Sequence, residues 1–232
     1  MHISIKHLRF LSLLLFFDGC LIIFRNLFVG TSWEPLASLD NIIMYRSDTF
    51  LFLIWNLFLA LVPFVLALGI YHYRDRPQAK WLLWPSILVW LAFLPNAPYL
   101  ITDLIHIRPR AFMPLWYDTF TFFAFAWSGL LFAIGSLQLI AAVLEEKWGS
   151  RWSLLIILSV ILLCSFGIAA GRFLRWNSWD LLAQPFMIID DIYSLLVNPV
   201  TYKNIWGMAM LFSAFLSIVF LSSKNQVLCD QQ

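Results

Sequence analysis

The first residues whose types and spacing could do chemistry lie in the polar segment 94–106, which reads Leu-Pro-Asn-Ala-Pro-Tyr-Leu-Ile-Thr-Asp-Leu-Ile-His. Prolines at positions 95 and 98 remove amide donors and end the preceding helix, so residues 96 and 97 are predicted to be extended or in a turn. Thr102 or Asp103 is then expected to cap a short helix. On that helix Asp103 and His106, three residues apart, share one face. A carboxylate beside an imidazole can bind a metal ion or transfer a proton.

Two candidate ligands are too few for a metal site, and no histidine-rich motif accompanies them, so we predict no bound metal and no cofactor. The segment as a whole favours a different function. A polar, non-helical stretch between two apolar runs is costly in lipid unless it lines protein or water. We therefore predict that it contributes to a binding site. Whether the protein is an enzyme stays open, with Asp103 and His106 as the candidate catalytic residues.

A second polar segment, 171–180, reads Gly-Arg-Phe-Leu-Arg-Trp-Asn-Ser-Trp-Asp. Arg172 and Arg175 are three residues apart at the end of an apolar run, and their forked guanidinium groups suit phosphate or carboxylate. The alternative is an aromatic belt with arginines that extend to the membrane surface. Taking both segments together, the predicted ligand-binding residues are Asn96, Tyr99, Thr102, Asp103, Arg172, Arg175, Trp176, Asn177, Trp179 and Asp180.

Two charged residues interrupt the first apolar run, Asp18 at its centre and Arg25 seven positions later. A charge at the centre of a bilayer costs about 2.5–3.5 kcal/mol on insertion scales, so Asp18 is expected to face the bundle interior and either to have a partner or to be protonated. Arg25 and Asn56 are the candidate partners. Ser128 and Gln138 are interpreted as ordinary hydrogen-bonding residues between helices.

The elements that must position these residues are membrane-spanning helices. The chain is 62% hydrophobic and 12% charged, whereas soluble domains carry about 25% charged residues. A helix needs about 20 apolar residues to cross the bilayer. The sequence predicts an all-α bundle with about six spans in one integral membrane domain, 1–232, at about 8–30, 48–73, 81–99, 119–143, 153–171 and 205–222. The first run is interpreted as a retained span and not a cleaved signal peptide.

The loops indicate an orientation. With a cytoplasmic N-terminus, eight Lys and Arg residues lie inside and six outside, which favours cytoplasmic N- and C-termini. The longer loops, at about 31–47, 100–118 and 172–204, then face outward together with both polar segments. Within the last loop, residues 187–197 are predicted to form a short amphipathic helix at the membrane interface. A net charge of +2 with no basic patch excludes a nucleic-acid partner.

The two segments also carry a resemblance. Pro95-Asn96-Ala97-Pro98-Tyr99, followed by Thr102-Asp103 and His106, resembles the hallmark of an uncharacterised family of bacterial integral membrane proteins, a domain of unknown function. The segment 171–180 is similar to a second block of that family. The resemblance covers most of the chain, from about the second span to the sixth. It implies a multi-pass protein of the bacterial inner membrane and groups the two segments as one site, but it supplies no reaction.

Three functions remain open. The first is a binding protein whose outward polar cluster holds a membrane lipid headgroup, an anionic ligand or a partner membrane protein. The second is a membrane enzyme acting on a lipid-linked substrate at the same face, with Asp103 as base and the arginines as a phosphate clamp. The third is a small transporter or channel that uses Asp18 and Arg25.

Overall fold

The computed structural model describes residues 5–30, 50–76, 80–110, 113–176 and 178–229. These residues form helices joined by short connections. In chain order the elements are α1 (Ile5–Gly30), α2 (Leu51–Tyr73), α3 (Lys80–Phe93), α4 (Asn96–Tyr99), a 3-10 helix (Leu100–His106), α5 (Leu115–Phe173), α6 (Asp180–Ala183), α7 (Pro185–Val197) and α8 (Lys203–Cys229).

Helix α5 is two helices joined at Gly149. Its 59 residues would extend about 88 Å at about 1.5 Å per residue, far beyond the hydrocarbon core of about 30 Å. Gly149 has φ 80° and ψ 165°, a conformation that only glycine adopts readily. The chain folds back there into a first arm, 115–148, and a second arm, 150–173. Ser153 Oγ of the second arm donates a hydrogen bond of 2.9 Å to Ala141 O of the first.

The all-α membrane bundle is confirmed. Within the described ranges, five helices are long and apolar enough to cross a membrane, and the two arms of α5 raise the number of spans to about six. Large apolar side chains are exposed around the bundle, among them Leu13, Trp81, Trp116 and Leu211. Exposed apolar surface on this scale indicates a lipid surrounding.

Helix α5 packs mainly against α2 and α8, and its first arm supplies many residues of the main hydrophobic core. Its Ser136 joins three helices through one hydroxyl. Trp90 Nε1 of α3 donates to Ser136 Oγ at 2.6 Å, and Ser136 Oγ donates to Pro63 O of α2 at 3.2 Å. Gln138 Nε2 donates to Ser223 Oγ of α8 at 2.9 Å, which confirms its interpretation as a residue that bonds between helices.

The bundle has two polar ends. At the end that contains Gly149, which we call the hinge end, Arg74 binds Glu146 through Nε at 2.6 Å and Nη2 at 3.0 Å, and Lys224 pairs with Glu145. At the opposite end, which we call the site end, lie both polar segments. The predicted helix 187–197 falls within α7 and is confirmed. Ile188 and Leu195 are its buried residues, whereas Leu196 is exposed.

The predicted partners of Asp18 are wrong. Ser128 Oγ donates to Asp18 Oδ2 at 2.5 Å, and Asp18 Oδ1 has no hydrogen-bond partner in the described part of the chain. Asn56 instead donates to Asp103, and Arg25 binds Asp118. The reason is geometric. Asp18 of α1 faces the first arm of α5, where the hydroxyl of Ser128 lies within hydrogen-bond distance.

Arg25 belongs to a charged cluster around Asp118 at the site end. Its Nε and Nη2 donate to the two carboxylate oxygens of Asp118 at 2.9 and 3.3 Å. Arg110 Nη1 reaches Asp118 Oδ2 at 3.2 Å, and both guanidinium groups lie over the Phe50 ring, at 3.7 Å for Arg25 and 4.6 Å for Arg110. One buried carboxylate therefore binds two arginines, and it ties α1 to the remainder of the bundle.

We expect Asp118→Asn to lower the free energy of unfolding by about 3–5 kcal/mol, because it leaves buried guanidinium charge without its carboxylate. The measurement is an unfolding titration of the purified protein with SDS in mixed micelles. Glu146→Gln is the matched control at the hinge-end pair with Arg74, where the carboxylate is open to solvent and the expected loss is much smaller. Equal losses in the two variants would show that the cluster contributes no more than a surface ion pair.

Candidate functional site

The first polar segment is helical and not extended. After α3 ends at Phe93, Tyr99 N donates to Pro95 O at 3.1 Å, and α4 runs directly into the 3-10 helix. The prediction for residues 96 and 97 is therefore wrong. Both prolines fall at the start of a short helix, where their missing amide donors cost nothing.

The expected helix cap is also wrong. The 3-10 helix begins directly after Tyr99 with no side-chain cap. Thr102 Oγ1 donates instead to Tyr99 O at 2.7 Å, since a hydroxyl inside a helical turn can reach the carbonyl of the preceding turn.

Glycines of α5 let this segment lie against the bundle core. A Cβ on Gly129 would collide with the backbone oxygen of Ala97 and lie 2.8 Å from Leu100 Cδ1. A Cβ on Gly167 of the second arm would lie 2.8 Å from Pro95 Cγ. The two arms thus hold the segment from both sides, at a separation that only glycine allows.

A buried carboxylate connects the segment to two helices. Asp103 is 2% exposed. Asn56 Nδ2 of α2 donates to its Oδ2 at 2.9 Å, and Arg172 Nη2 of the second arm lies 3.4 Å from its Oδ1. Arg172 also donates to Thr102 O and lies with Cζ 5.2 Å from the centroid of the Tyr99 ring. Each charge removed from water therefore has a partner, as burial requires.

The second segment lies beside the first. Asn96 Nδ2 donates to Phe93 O at 3.0 Å and to Ser178 Oγ at 2.8 Å, which bonds the two segments directly. Arg175 follows the end of α5 with φ 61°, a left-handed turn that directs the chain away from the helix axis. Trp176 Nε1 donates to Asp191 Oδ2 at 2.8 Å and so fixes α7 against this turn.

A cavity of about 770 Å³ lies between these elements. Side chains of α2, α3, the 3-10 helix, the second arm and α7 all contribute to its wall. Its polar lining includes Asn56, Asn96, Tyr99, Asp103, His106, Arg172, Arg175 and Ser178, and its apolar lining includes Leu59, Leu88, Leu91, Leu163, Phe166 and Ile188.

Most of the predicted site residues meet in this cavity. Asn96, Tyr99, Asp103, Arg172, Arg175, Trp176 and Trp179 line it, together with the candidate catalytic residue His106. Thr102 lies behind the wall and contributes its backbone oxygen to Arg172. Asp180 starts α6 and is not part of the lining, and Asn177 lies outside the described residues. Asp18 and Arg25 do not line the cavity.

The sequence reasoning missed two contributors, Asn56 as the partner of Asp103 and Ser178 as the partner of Asn96. The signal for Asn56 was present, because an amide inside an apolar span is costly and needs a polar partner on a neighbouring element. Within the part of the chain that the structure describes, no group of three or more His, Cys, Asp or Glu side chains could hold a metal ion.

These features define a class, a multi-pass α-helical membrane protein with an amphipathic cavity at one end of the bundle. The family described as "Protein of unknown function (DUF1361)" matches residues 55–219, and the chain belongs to it. No curated protein and no solved structure matches the chain.

We expect Gly129→Ala to destabilise the protein by about 1–3 kcal/mol, the usual cost of overpacking, because its Cβ would meet backbone and not a flexible side chain. Gly69→Ala is the matched control, since a Cβ there meets nothing within 4 Å and alanine is the better helix former. Thermal unfolding of both variants in the same detergent gives the comparison. A Gly129→Ala protein as stable as Gly69→Ala would mean that the close approach of the segment is not required.

Proposed function

We propose that the protein binds an anionic lipid in the cavity, with the headgroup at Arg172 and Arg175 and an acyl or prenyl chain along the apolar wall. One observation carries the proposal. Both polar segments line a single cavity whose wall continues into apolar side chains of the spans.

The cavity wall changes from polar to apolar along the helices. Leu163 precedes Arg172 on the second arm by about two and a half turns, or about 13 Å, and both line the cavity. On α2, Asn56 is followed by Leu59, and on α3 Leu88 precedes the polar segment. A ligand that fills this space must therefore be polar at one end and apolar at the other.

The cavity opens sideways. Trp55 and Leu88 line it, yet they are 55% and 67% exposed. An exposed apolar side chain on a spanning helix faces hydrocarbon, so the opening is accessible from the bilayer. A lipid can then enter laterally without carrying its chain through water.

The charge of the lining favours an anion. Arg172 and Arg175 bring two positive charges to the lining, and Asp103 brings one negative charge. The forked guanidinium group binds phosphate and carboxylate oxygens in pairs. This excess of one positive charge supports an anionic headgroup over a neutral one.

The location follows from the same arguments. We place the protein in the bacterial inner membrane with cytoplasmic N- and C-termini and the site end facing outward, as the Lys and Arg distribution favours. The lipid would then bind in the outer leaflet. A partner membrane protein at the site end is the alternative occupant of this surface.

Among the other functions, the enzyme is favoured by the position of one side chain. His106 lines the cavity, and its imidazole forms no hydrogen bond within the described part of the chain. Asp103 is the weaker candidate base, because both its oxygens are engaged by Asn56 and Arg172. A lipid identified in the cavity would be the substrate with which to test catalysis.

We expect Arg175→Ala to lower retention of anionic lipid about tenfold or more, because it removes one charge-assisted contact with the headgroup. The Arg172→Ala/Arg175→Ala protein should lose the lipid altogether. Native mass spectrometry of each protein, delipidated in mild detergent and titrated with phosphatidylglycerol, measures retention.

The matched control is Arg151→Ala, which removes an exposed arginine near Gly149 at the hinge end. Its lipid retention should equal that of the wild type. Thermal unfolding of every variant separates loss of the ligand from loss of the fold. Equal retention by a folded Arg172→Ala/Arg175→Ala protein and by the wild type would refute the proposed function.

A further inference from the structure

We infer that the lipid headgroup carries hydroxyl groups beside its anionic group, as a glycerol or a sugar does. This inference rests on the proposed function and specifies the class of lipid. It comes from two side-chain amides whose orientation the hydrogen bonds determine.

Asn56 is oriented by Asp103. A carboxylate accepts hydrogen bonds and cannot donate when ionised, so the group 2.9 Å from Asp103 Oδ2 must be the amide nitrogen Nδ2. The other polar atom of the Asn56 side-chain amide is then the oxygen Oδ1. It accepts no hydrogen bond within the described ranges, and the half-buried side chain lines the cavity.

Asn96 is oriented in the same way by a backbone carbonyl. Its Nδ2 donates to Phe93 O at 3.0 Å, and a carbonyl oxygen only accepts. Nδ2 also donates to Ser178 Oγ at 2.8 Å, which leaves the serine hydroxyl hydrogen available for a further acceptor. Asn96 Oδ1 accepts no hydrogen bond from the residues that the structure describes, and Asn96 also lines the cavity.

The cavity therefore offers two amide oxygens that can accept hydrogen bonds, in the same lining as Arg172 and Arg175. A phosphate diester or a carboxylate has no donor to give, so it satisfies the arginines and leaves both amide oxygens unpaired. A hydroxyl donates to an amide oxygen and accepts from a group such as Ser178 Oγ. An ammonium group also donates, but the excess positive charge of the lining disfavours it.

The test compares singly charged lipid diesters whose headgroups do or do not carry hydroxyl groups. Phosphatidylglycerol and phosphatidylethanol are both singly charged diesters, and only phosphatidylglycerol carries free hydroxyls. A polyprenyl phosphohexose and the methyl ester of the same polyprenyl phosphate form a second pair. Each pair is titrated in competition against the delipidated wild-type protein, with phosphatidylethanolamine as a separate arm, and native mass spectrometry gives the retained ratio.

We expect the hydroxylated member of at least one pair to be preferred about fivefold or more, as one or two added hydrogen bonds imply. The pair that shows it identifies the glycerol or the sugar as the source. Asn96→Ala and Asn56→Ala should reduce the ratio toward one, whereas Gln138→Ala, which removes an amide between α5 and α8, should leave it unchanged. Because the readout is a ratio, a general loss of stability affects both lipids alike.

Two results overturn the inference. One is a ratio near one in both pairs while retention still depends on Arg175, which leaves the proposed function standing. The other is stronger retention of phosphatidylethanolamine than of any hydroxylated lipid. If none of the lipids is retained in a way that depends on Arg175, the proposed function itself is refuted.

Discussion

The burial of charge in an apolar bundle is the constraint on which the site end depends. Asp103 is nearly inaccessible, and Asn56 and Arg172 provide its polar contacts. Desolvating a carboxylate costs several kcal/mol unless hydrogen bonds and an opposite charge compensate it. To supply both, α2, the 3-10 helix and the second arm of α5 must meet at one point. The cavity is the space that remains beside this meeting point.

The same constraint acts a second time around Asp118. There the carboxylate compensates Arg25 and Arg110, and the aromatic ring of Phe50 contacts both cations. The two clusters are connected, because Arg110 Nη2 also donates to His106 O at 3.3 Å. Helix α1 is thus joined through Arg25, Asp118 and Arg110 to the end of the 3-10 helix that presents His106 to the cavity.

Sequence alone predicted the parts of this architecture that follow from hydropathy. The apolar runs, the short helix near residue 190 and the two polar segments are all visible as composition, because lipid excludes unpaired backbone and charge. Partners across helices were not predictable in the same way. Asp18 bonds Ser128 and not Arg25 or Asn56, since the choice depends on how the helices rotate when they pack. The prediction of the local conformation of residues 96 and 97 was wrong for a similar reason. Close packing against Gly129 outweighed the extended preference of a residue before proline.

The distribution of hydrogen-bond partners around Asp103 supports a ligand site over a purely structural polar cluster. A network formed only for stability would be closed, with each donor and acceptor used within the protein, because an unsatisfied buried group is costly. The network around Asp103 is closed on the side that faces the bundle, where Asn56 and Arg172 donate to Asp103 and Arg172 also donates to Thr102 O. On the side that faces the cavity, the amide oxygens of Asn56 and Asn96 and the imidazole of His106 accept nothing within the described residues. The residues that line this open side, from Trp55 to Ile192, fall inside the region 55–219 that defines the family, with Phe52 just before it. The pairs formed by Asp18 and Arg25 involve α1, which precedes that region, so their role in docking α1 is separable from the chemistry of the cavity.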